Sequence, residues 1–505
     1  MNNFLCKFRG TSLLAFLLFQ VLAAYSQVQP GLNTPTGVII LKGTIITPDS
    51  IIPNGLIFIE NHKISGIYNS IQRNEIPENA IYVDTKGIIF PGLIDLHNHV
   101  TWNVFPQWNI GKQRFSNRYD WRYHNMEYQK KIVTPNDKLL YSGVSFFCQM
   151  NTYGELRALV GGTTSILNTS DDENECIGGL VRNLDDPTQL DLQQIEYYID
   201  IQNHNTDKPG NTKKINDDLE VIRRKLITGK LDAFIIHLAE GKANDSITKQ
   251  EFSILQDKGL LTNKTAIIHG IALGPMQFQE MYDKGASLIW SPRSNIELYG
   301  QTADIISAKN KKVRIALAPD WAITGSKNML DELRYAADWN KKYLNSILSD
   351  KDLVEMVTSI PAGIAGISQK VGSIKVGLYA DLLVISGESS KPYSSLIQSG
   401  TEDVRLVIIN GFPVYGRKDL MERFWHKSIL EQLTPSPPMM LRLPLPKNSM
   451  NSFEDLERSL SLKLSLEGSA LAPLFPTRNP PTDKEPKILR VESEIKGKPR
   501  PRERN

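Results

Sequence analysis

Phe90-Pro91-Gly92-Leu93-Ile94-Asp95-Leu96-His97-Asn98-His99 is an apolar run that ends in two histidines. Alternate residues of a strand share a face, so His97 and His99 point the same way and both imidazoles can reach one ion. A His-x-His pair on a strand is as often an ordinary surface or core feature, so its meaning depends on what the rest of the chain brings near it.

Three further polar residues each stand where a short buried strand stops: His237 after Phe234-Ile235-Ile236, His269 after Ile267-Ile268, and Asp320 after Ile315-Ala316-Leu317. As a coincidence this needs several buried polar side chains to end strands, each with its own hydrogen-bond partners. In a barrel of parallel strands, by contrast, all strand ends of one kind gather at one face, where active sites sit. Thr163-Thr164-Ser165-Ile166-Leu167, Ser287-Leu288-Ile289-Trp290 and Val313-Arg314-Ile315-Ala316-Leu317 read as further strands. Between them Leu219, Ile222 and Leu226, or Met329, Leu330, Leu333 and Ala337, fall at helical spacing. This alternation predicts an α/β fold, a (β/α)8 TIM-type barrel over 91–370, with the polar residues converging at its mouth.

Outside the barrel the pattern changes. Val38-Ile39-Ile40-Leu41, Leu56-Ile57-Phe58-Ile59 and Lys63-Ile64-Ser65-Gly66-Ile67 are short β-branched stretches separated by turn residues. Similar stretches return at 371–377, 380–385 and 404–411. The expectation is a small β-sandwich domain built from both ends, residues 27–90 and 371–419, followed by a C-terminal extension over 420–475.

The outermost segments read differently again. Lys7 and Arg9, the apolar run Leu13 to Ala24, and Ala24-Tyr25-Ser26 have the order of a secretory signal peptide over 1–26, and the run is too short to anchor in a bilayer. The chain is thus expected to be exported, to the periplasm or the medium. Its removal would leave a formal charge of +1 in place of +3, which gives no ground for nucleic-acid or membrane-surface binding. In an oxidising compartment Cys148 and Cys176 either pair or remain two buried thiols. The last thirty residues, 476–505, hold six prolines and nine Lys or Arg and read as a solvated tail.

Imidazoles together with a carboxylate suit one divalent ion, zinc or iron, with a position left for water. Glu240 lies three residues beyond His237, where the chain turns over the barrel mouth, and is the candidate proton shuttle.

By these residues the chain resembles the amidohydrolase superfamily, and within it the mononuclear deaminase, chlorohydrolase and imidazolonepropionase branch. The resemblance rests on Pro91 to His99, Gly161-Gly162-Thr163-Thr164-Ser165, His237-Leu238-Ala239-Glu240, His269-Gly270, Trp290-Ser291-Pro292-Arg293-Ser294-Asn295, Ala318-Pro319-Asp320-Trp321 and Val371 to Leu382. It implies that His97, His99, His237 and Asp320 bind the metal, and that Glu240, His269 and Asp320 act in catalysis. It also implies hydrolysis of a carbon–nitrogen bond, not a standard peptide bond, in a small cyclic or amidine-like molecule, with deamination through metal-bound hydroxide. Binuclear relatives add a modified lysine at the end of the fourth strand. Here Lys208, Lys213 and Lys214 lie in a polar run, and Tyr197-Tyr198-Ile199-Asp200-Ile201 is the candidate strand. The pattern departs from many deaminases at Gly270 and Ala318-Pro319.

The stretch after His99 interleaves Trp102, Phe105, Trp108, Phe115, Tyr119, Trp121 and Tyr123 with Arg114, Arg118 and Arg122. Hanging over the mouth, it either stacks a planar or anionic substrate or packs as a cover. Trp102, Arg118, Trp121 and Asn295 are the candidate substrate contacts, for a small-molecule substrate, and a homo-oligomer is compatible with the chain. A cyclic-amide, imidazolone-type or peptide amidohydrolase on the same scaffold and a non-catalytic secreted binding protein are the competing readings.

Overall fold

In the computed structural model the described residues run from 37 to 475, without 71, 73–75, 169–175, 177, 178, 206 and 207. The signal-peptide and tail readings lie outside them. Among the described residues no helix is long and apolar enough to cross a membrane.

The isoleucine-rich start of the chain forms β1 (Ile39–Ile46), β2 (Ile51–Glu60), β3 (Lys63–Tyr68) and β4 (Ile81–Pro91). β2 and β3 join through Asn61 and His62, both with positive φ (49° and 71°), the conformation that a two-residue hairpin matching the strand twist demands. Eight parallel strands follow: β5 (Leu93–Asn98), β6 (Thr163–Asn168), β7 (Arg182–Asn183), β8 (Ile195–Tyr198), β9 (Ala233–Leu238), β10 (Thr265–His269), β11 (Ser287–Trp290) and β12 (Arg314–Leu317). The chain then adds β13 (Leu382–Ile385), β14 (Val404–Ile409), β15 (Phe412–Arg417), β16 (Leu430–Pro435) and β17 (Pro438–Arg442).

Strands from the two ends share one nine-stranded sheet, ordered β16-β17-β15-β14-β13-β4-β1-β2-β3. The halves meet where β13 runs antiparallel to β4, Leu383 opposite Phe90. β13 is apolar at every position because both its faces are covered. Leu382 and Val384 join a cluster with Leu41, Ile57, Leu406 and Trp425, whereas Leu383 and Ile385 face the main core.

The parallel strands form two hydrogen-bonded sets, β5-β6-β7 and β8 to β12. β12 and β5 approach at their ends, where Asp320 N donates to His97 O and His99 N to Asp320 O, each at 3.1 Å. Ile94, Leu167, Ile195, Ala233, Ile235, Ala266, Ile268, Ile289 and Ala316 form one apolar cluster drawn from both sets. Their neighbours in sequence, such as Phe234, Ile236, Ile267 and Leu288, pack outward with the helices. Helices Asn211–Ile227 and Met329–Tyr343 bury Leu219 and Ile222, and Met329, Leu330 and Leu333, as their spacing predicts.

One segment differs from the expectation. Val371 to Gly377 is not a strand, because Gly372 and Gly377 take φ of 90° and 91°, which breaks an extended run. Residues 420–475 are ordered: the β16–β17 hairpin lengthens the sheet, and helix Phe453–Leu466 packs on helix Phe147–Val160. Cys148 and Cys176 are joined as a disulfide, Cα atoms 5.5 Å apart.

Candidate active site

Strand geometry delivers the predicted residues to one place. His97 is on β5, His237 on β9 and His269 ends β10, while His99 and Asp320 lie just beyond β5 and β12. Nε2 of His97 lies 3.1 Å from Nε2 of His237 and 3.2 Å from Oδ1 of Asp320. Nε2 of His99 lies 3.5 Å from the same carboxylate oxygen. Ligand atoms of His97, His237 and His269, and those of His97, His99 and Asp320, lie within 4.8 Å of one another.

The backbone is held in an uncommon conformation at this mouth. Ala239, His269 and Asp320 have φ of 54°, 67° and 69°, the left-handed region that costs side-chain-bearing residues about 1 kcal/mol or more. Each stands at or just past a strand end, where the chain turns.

Neighbours fix three of the imidazoles. Nδ1 of His97 is 2.8 Å from Ser291 Oγ, Nδ1 of His237 is 2.9 Å from the Tyr197 hydroxyl, and Nδ1 of His269 is 2.7 Å from Asn295 Oδ1. Ser294 Oγ donates to the second oxygen of Asp320 at 2.5 Å. Behind β5, Asp95 accepts from His97 N and Asn98 Nδ2. Such partners orient ligands and set their tautomers.

Burial and charge shift the protonation equilibria in opposite directions. Burial raises Asp320, but the facing imidazoles of His97, His269 and His99 outweigh it and hold the carboxyl below its usual range. Burial lowers His99 to about 3 and His237 well below the ordinary imidazole value. Both are therefore neutral, the state in which imidazole is a ligand. Glu240 is raised by burial, against the lowering effect of His269, Arg118 and the Tyr299 hydroxyl.

Glu240 is enclosed beside this cluster, its Oε2 3.6 Å from Nε2 of His269 and its Oε1 accepting from Tyr299 at 2.6 Å. The segment after His99 lies over the mouth as a fixed cover. Trp108 N donates to Ile323 O, Phe115 N to Leu298 O, Arg118 N to Glu240 O and Lys242 N to Ser116 O.

Of the candidate substrate contacts, Trp102 is half-buried, its ring 5.9 Å from that of Trp321, which in turn lies 5.2 Å from His99. Trp121 is buried and donates its indole N–H to the Tyr299 hydroxyl at 2.9 Å. Arg118 and Asn295 are turned to protein groups. Arg118 is 1% exposed among Asp200, Glu251 and Glu240, at 3.3, 3.0 and 3.9 Å. Asn295 holds His269 and Thr302. Arg122 pairs with Asp200 at 2.8 Å. Arg118 and Arg122 thus neutralise carboxylates of their own protein.

Residues 227–414 match the model of the amidohydrolase family. The chain carries an amidohydrolase domain. The match takes in His237, Glu240, His269 and Asp320, and the strand bearing His97 and His99 precedes it. Guanine deaminase of Rattus norvegicus is 23% identical over 368 residues, 65% of this chain and 79% of that protein. The 5-methylthioadenosine/S-adenosylhomocysteine deaminase of Pyrococcus abyssi is 31% identical over 193 residues, but this covers 35% of this chain and only 44% of that protein. Among solved structures, an adenosine deaminase from Xanthomonas campestris with bound zinc superimposes with a TM-score of 0.60 at 16% identity, covering 85% of this chain and 98% of that one. E. coli guanine deaminase gives 0.57 at 17% identity, covering 75% of this chain and all of the other. At these identities the likeness shows that the amidohydrolase domain shares their fold.

The residues that sequence reading missed are Tyr197, Ser291, Ser294 and Tyr299. Ser291 and Ser294 stood within a quoted motif, and Tyr197 within the candidate fourth strand. That strand is Ile195–Tyr198, and Tyr197 rather than a lysine stands near its end, against His237.

Proposed function

We propose that the chain is a metal-dependent hydrolase that deaminates a small cyclic or amidine-like molecule, breaking a carbon–nitrogen bond that is not a peptide bond. The observation that carries the reading is the meeting of three imidazoles and one carboxylate at strand ends beside a buried glutamate. Ligands about 2.1 Å from a tetrahedral ion stand about 3.4 Å from one another. The pairs His97–His237, His97–Asp320 and His99–Asp320, at 3.1, 3.2 and 3.5 Å, fit that requirement.

These four residues would hold one divalent ion, zinc or iron, which when bound supplies Lewis acidity and makes a water nucleophilic near neutral pH. Tyr197 at the end of β8, where binuclear relatives carry a lysine, supports one ion rather than two; Lys208, Lys213 and Lys214 are all exposed. Asp320 stays ionised among the imidazoles and accepts a proton from water. Glu240, with its elevated proton affinity, carries a proton to the ring or amidine nitrogen. Asn295 fixes the proton of His269 on Nδ1 and leaves Nε2 toward Glu240 and the reacting group. Trp102 and Trp321, their rings set edge-to-face, supply an apolar wall at His99. Arg118 and Asn295 act through Glu240 and His269 rather than on substrate.

The same reading takes the eight parallel strands as a closed TIM-type barrel, supported by the His97–Asp320–His99 backbone bonds and the shared inner apolar cluster. It takes the nine-stranded sheet, whose two ends contribute to one apolar cluster, as a sandwich. It keeps the barrel at 91–370 and export through residues 1–26, with the Cys148–Cys176 pairing in support.

The test is metal analysis followed by ammonia release from a panel headed by guanine, adenosine and 5-methylthioadenosine and including cyclic amides. One ion per chain, with ammonia release lost in Glu240→Gln, is expected. Two ions per chain, or an undiminished Glu240→Gln rate, would overturn the reading.

A further inference from the structure

The cover and the buried glutamate are linked by a chain of hydrogen bonds that can run in only one direction. Trp121, on the cover helix Arg118–His124, donates its indole N–H to the Tyr299 oxygen at 2.9 Å. Tyr299, the last residue of helix Pro292–Tyr299 after β11, lies 2.6 Å from Oε1 of Glu240. An indole nitrogen only donates. The phenol oxygen therefore accepts from Trp121, and the phenol proton is committed to Glu240.

Tyr299 is 1% exposed and Trp121 5%, so water does not compete for either group. With Oε1 engaged, Oε2 is the glutamate oxygen left toward the reaction, facing Nε2 of His269 at 3.6 Å and Arg118 Nη1 at 3.9 Å. A quarter-turn of the carboxyl plane would break the short bond, whereas a half-turn only exchanges its two oxygens. The side chain three residues before Trp121 on the same helix, Arg118, brackets the other oxygen. The elements that hold Glu240 thus come from the cover on one side and from the segment after β11 on the other.

We propose that Trp121 and Tyr299 are positioning residues for Glu240, a relay that aims one oxygen of the carboxyl at the reacting group only while the cover helix is seated. This rests on the reading of Glu240 as the proton carrier. The relay makes catalytic competence depend on the cover without either residue touching substrate.

The experiment uses the full metal-loaded chain and Tyr299→Phe, Trp121→Phe and the double variant, with metal content and melting temperature checked for each. With a panel compound that is turned over, Tyr299→Phe lowers kcat about 10- to 100-fold with KM unchanged, the size of an impaired proton transfer. Trp121→Phe gives a smaller loss of kcat, and the double variant is no slower than Tyr299→Phe, because the indole acts only through the phenol. Infrared difference spectra against Glu240→Gln isolate the Glu240 band, which shifts when the Tyr299 hydroxyl is removed.

Independent, multiplying losses in the double variant, or an unmoved kcat, would overturn the relay. Where no panel compound is turned over, an unshifted Glu240 band does so. Where Trp121→Phe melts early, Tyr299→Phe, which removes a single oxygen, decides. Full activity in Glu240→Gln sinks the proton-carrier reading itself; an inactive Glu240→Gln beside an unaffected Tyr299→Phe sinks only the relay.

Discussion

The hydroxyl of Tyr197 stands 2.9 Å from Nδ1 of His237, across forty residues of sequence, while the other ring nitrogen lies 3.1 Å from Nε2 of His97. A phenol in this place fixes the ring plane and tautomer of a ligand without adding charge. Tyr197→Phe keeps the ring packed and removes that bond, and metal affinity is expected to fall about 10- to 100-fold. Competition against a calibrated chelator measures it; an unchanged affinity means that packing alone orients His237.

Arg182 joins the parallel strands to the end sheet. Its Nε donates to Asp381 Oδ2 at 2.6 Å and its Nη2 to Asp381 Oδ1 and Asn410 Oδ1, both at 3.1 Å, with both charged side chains almost fully enclosed. Removing one partner leaves a buried charge uncompensated, so Asp381→Ala is expected to cost about 3 to 5 kcal/mol in urea unfolding. The double change Arg182→Met with Asp381→Leu should recover most of it. A single variant as stable as the parent would contradict this account.

What the sequence made legible is what local spacing controls. His97 and His99 share a strand face, and His237, His269 and Asp320 end apolar runs, so their convergence follows from parallel strands alone. Tyr197 and Tyr299 were not legible as site residues because their partners lie 40 and 59 residues away, with no periodicity joining them. Arg118 resembled an anion-binding residue until Asp200 and Glu251 were found beside it. In helix Phe453–Leu466 the buried Phe453, Leu456, Leu460 and Leu464 keep helical spacing, but the exposed Leu462 and Leu466 blur the stripe. Val371 to Gly377 carries β-branched residues as a strand does, yet its two glycines adopt positive φ.

The Cys148–Cys176 bond spans 28 residues and ties helix Phe147–Val160 to the chain after β6. Cross-linking a loop of this size lowers the entropy of the unfolded chain by about 3 to 4 kcal/mol at room temperature. Replacing both cysteines by serine should therefore lower the unfolding free energy by roughly that amount, and reductant should destabilise the parent but leave the variant unchanged. Equal sensitivity of the two proteins to reductant would count against the pairing.

Glu332 supplies a test in the pH dependence of stability. It is fully buried, accepting from Ser326 Oγ and Arg293 N, and burial raises its carboxyl from 4.5 to about 8 against the lowering effect of Arg293. Between those two values the folded protein holds a proton that the unfolded chain has lost. Stability from this group is therefore complete below pH 4.5, falls as the pH rises toward 8, and levels off above it. Glu332→Gln keeps the shape and cannot ionise. The melting temperature of the parent, measured against that of the variant from pH 5 to 9, should drop steadily and flatten at the alkaline end. Parallel curves for the two proteins would show that Glu332 is ionised in the fold, with Arg293 and not burial setting its state.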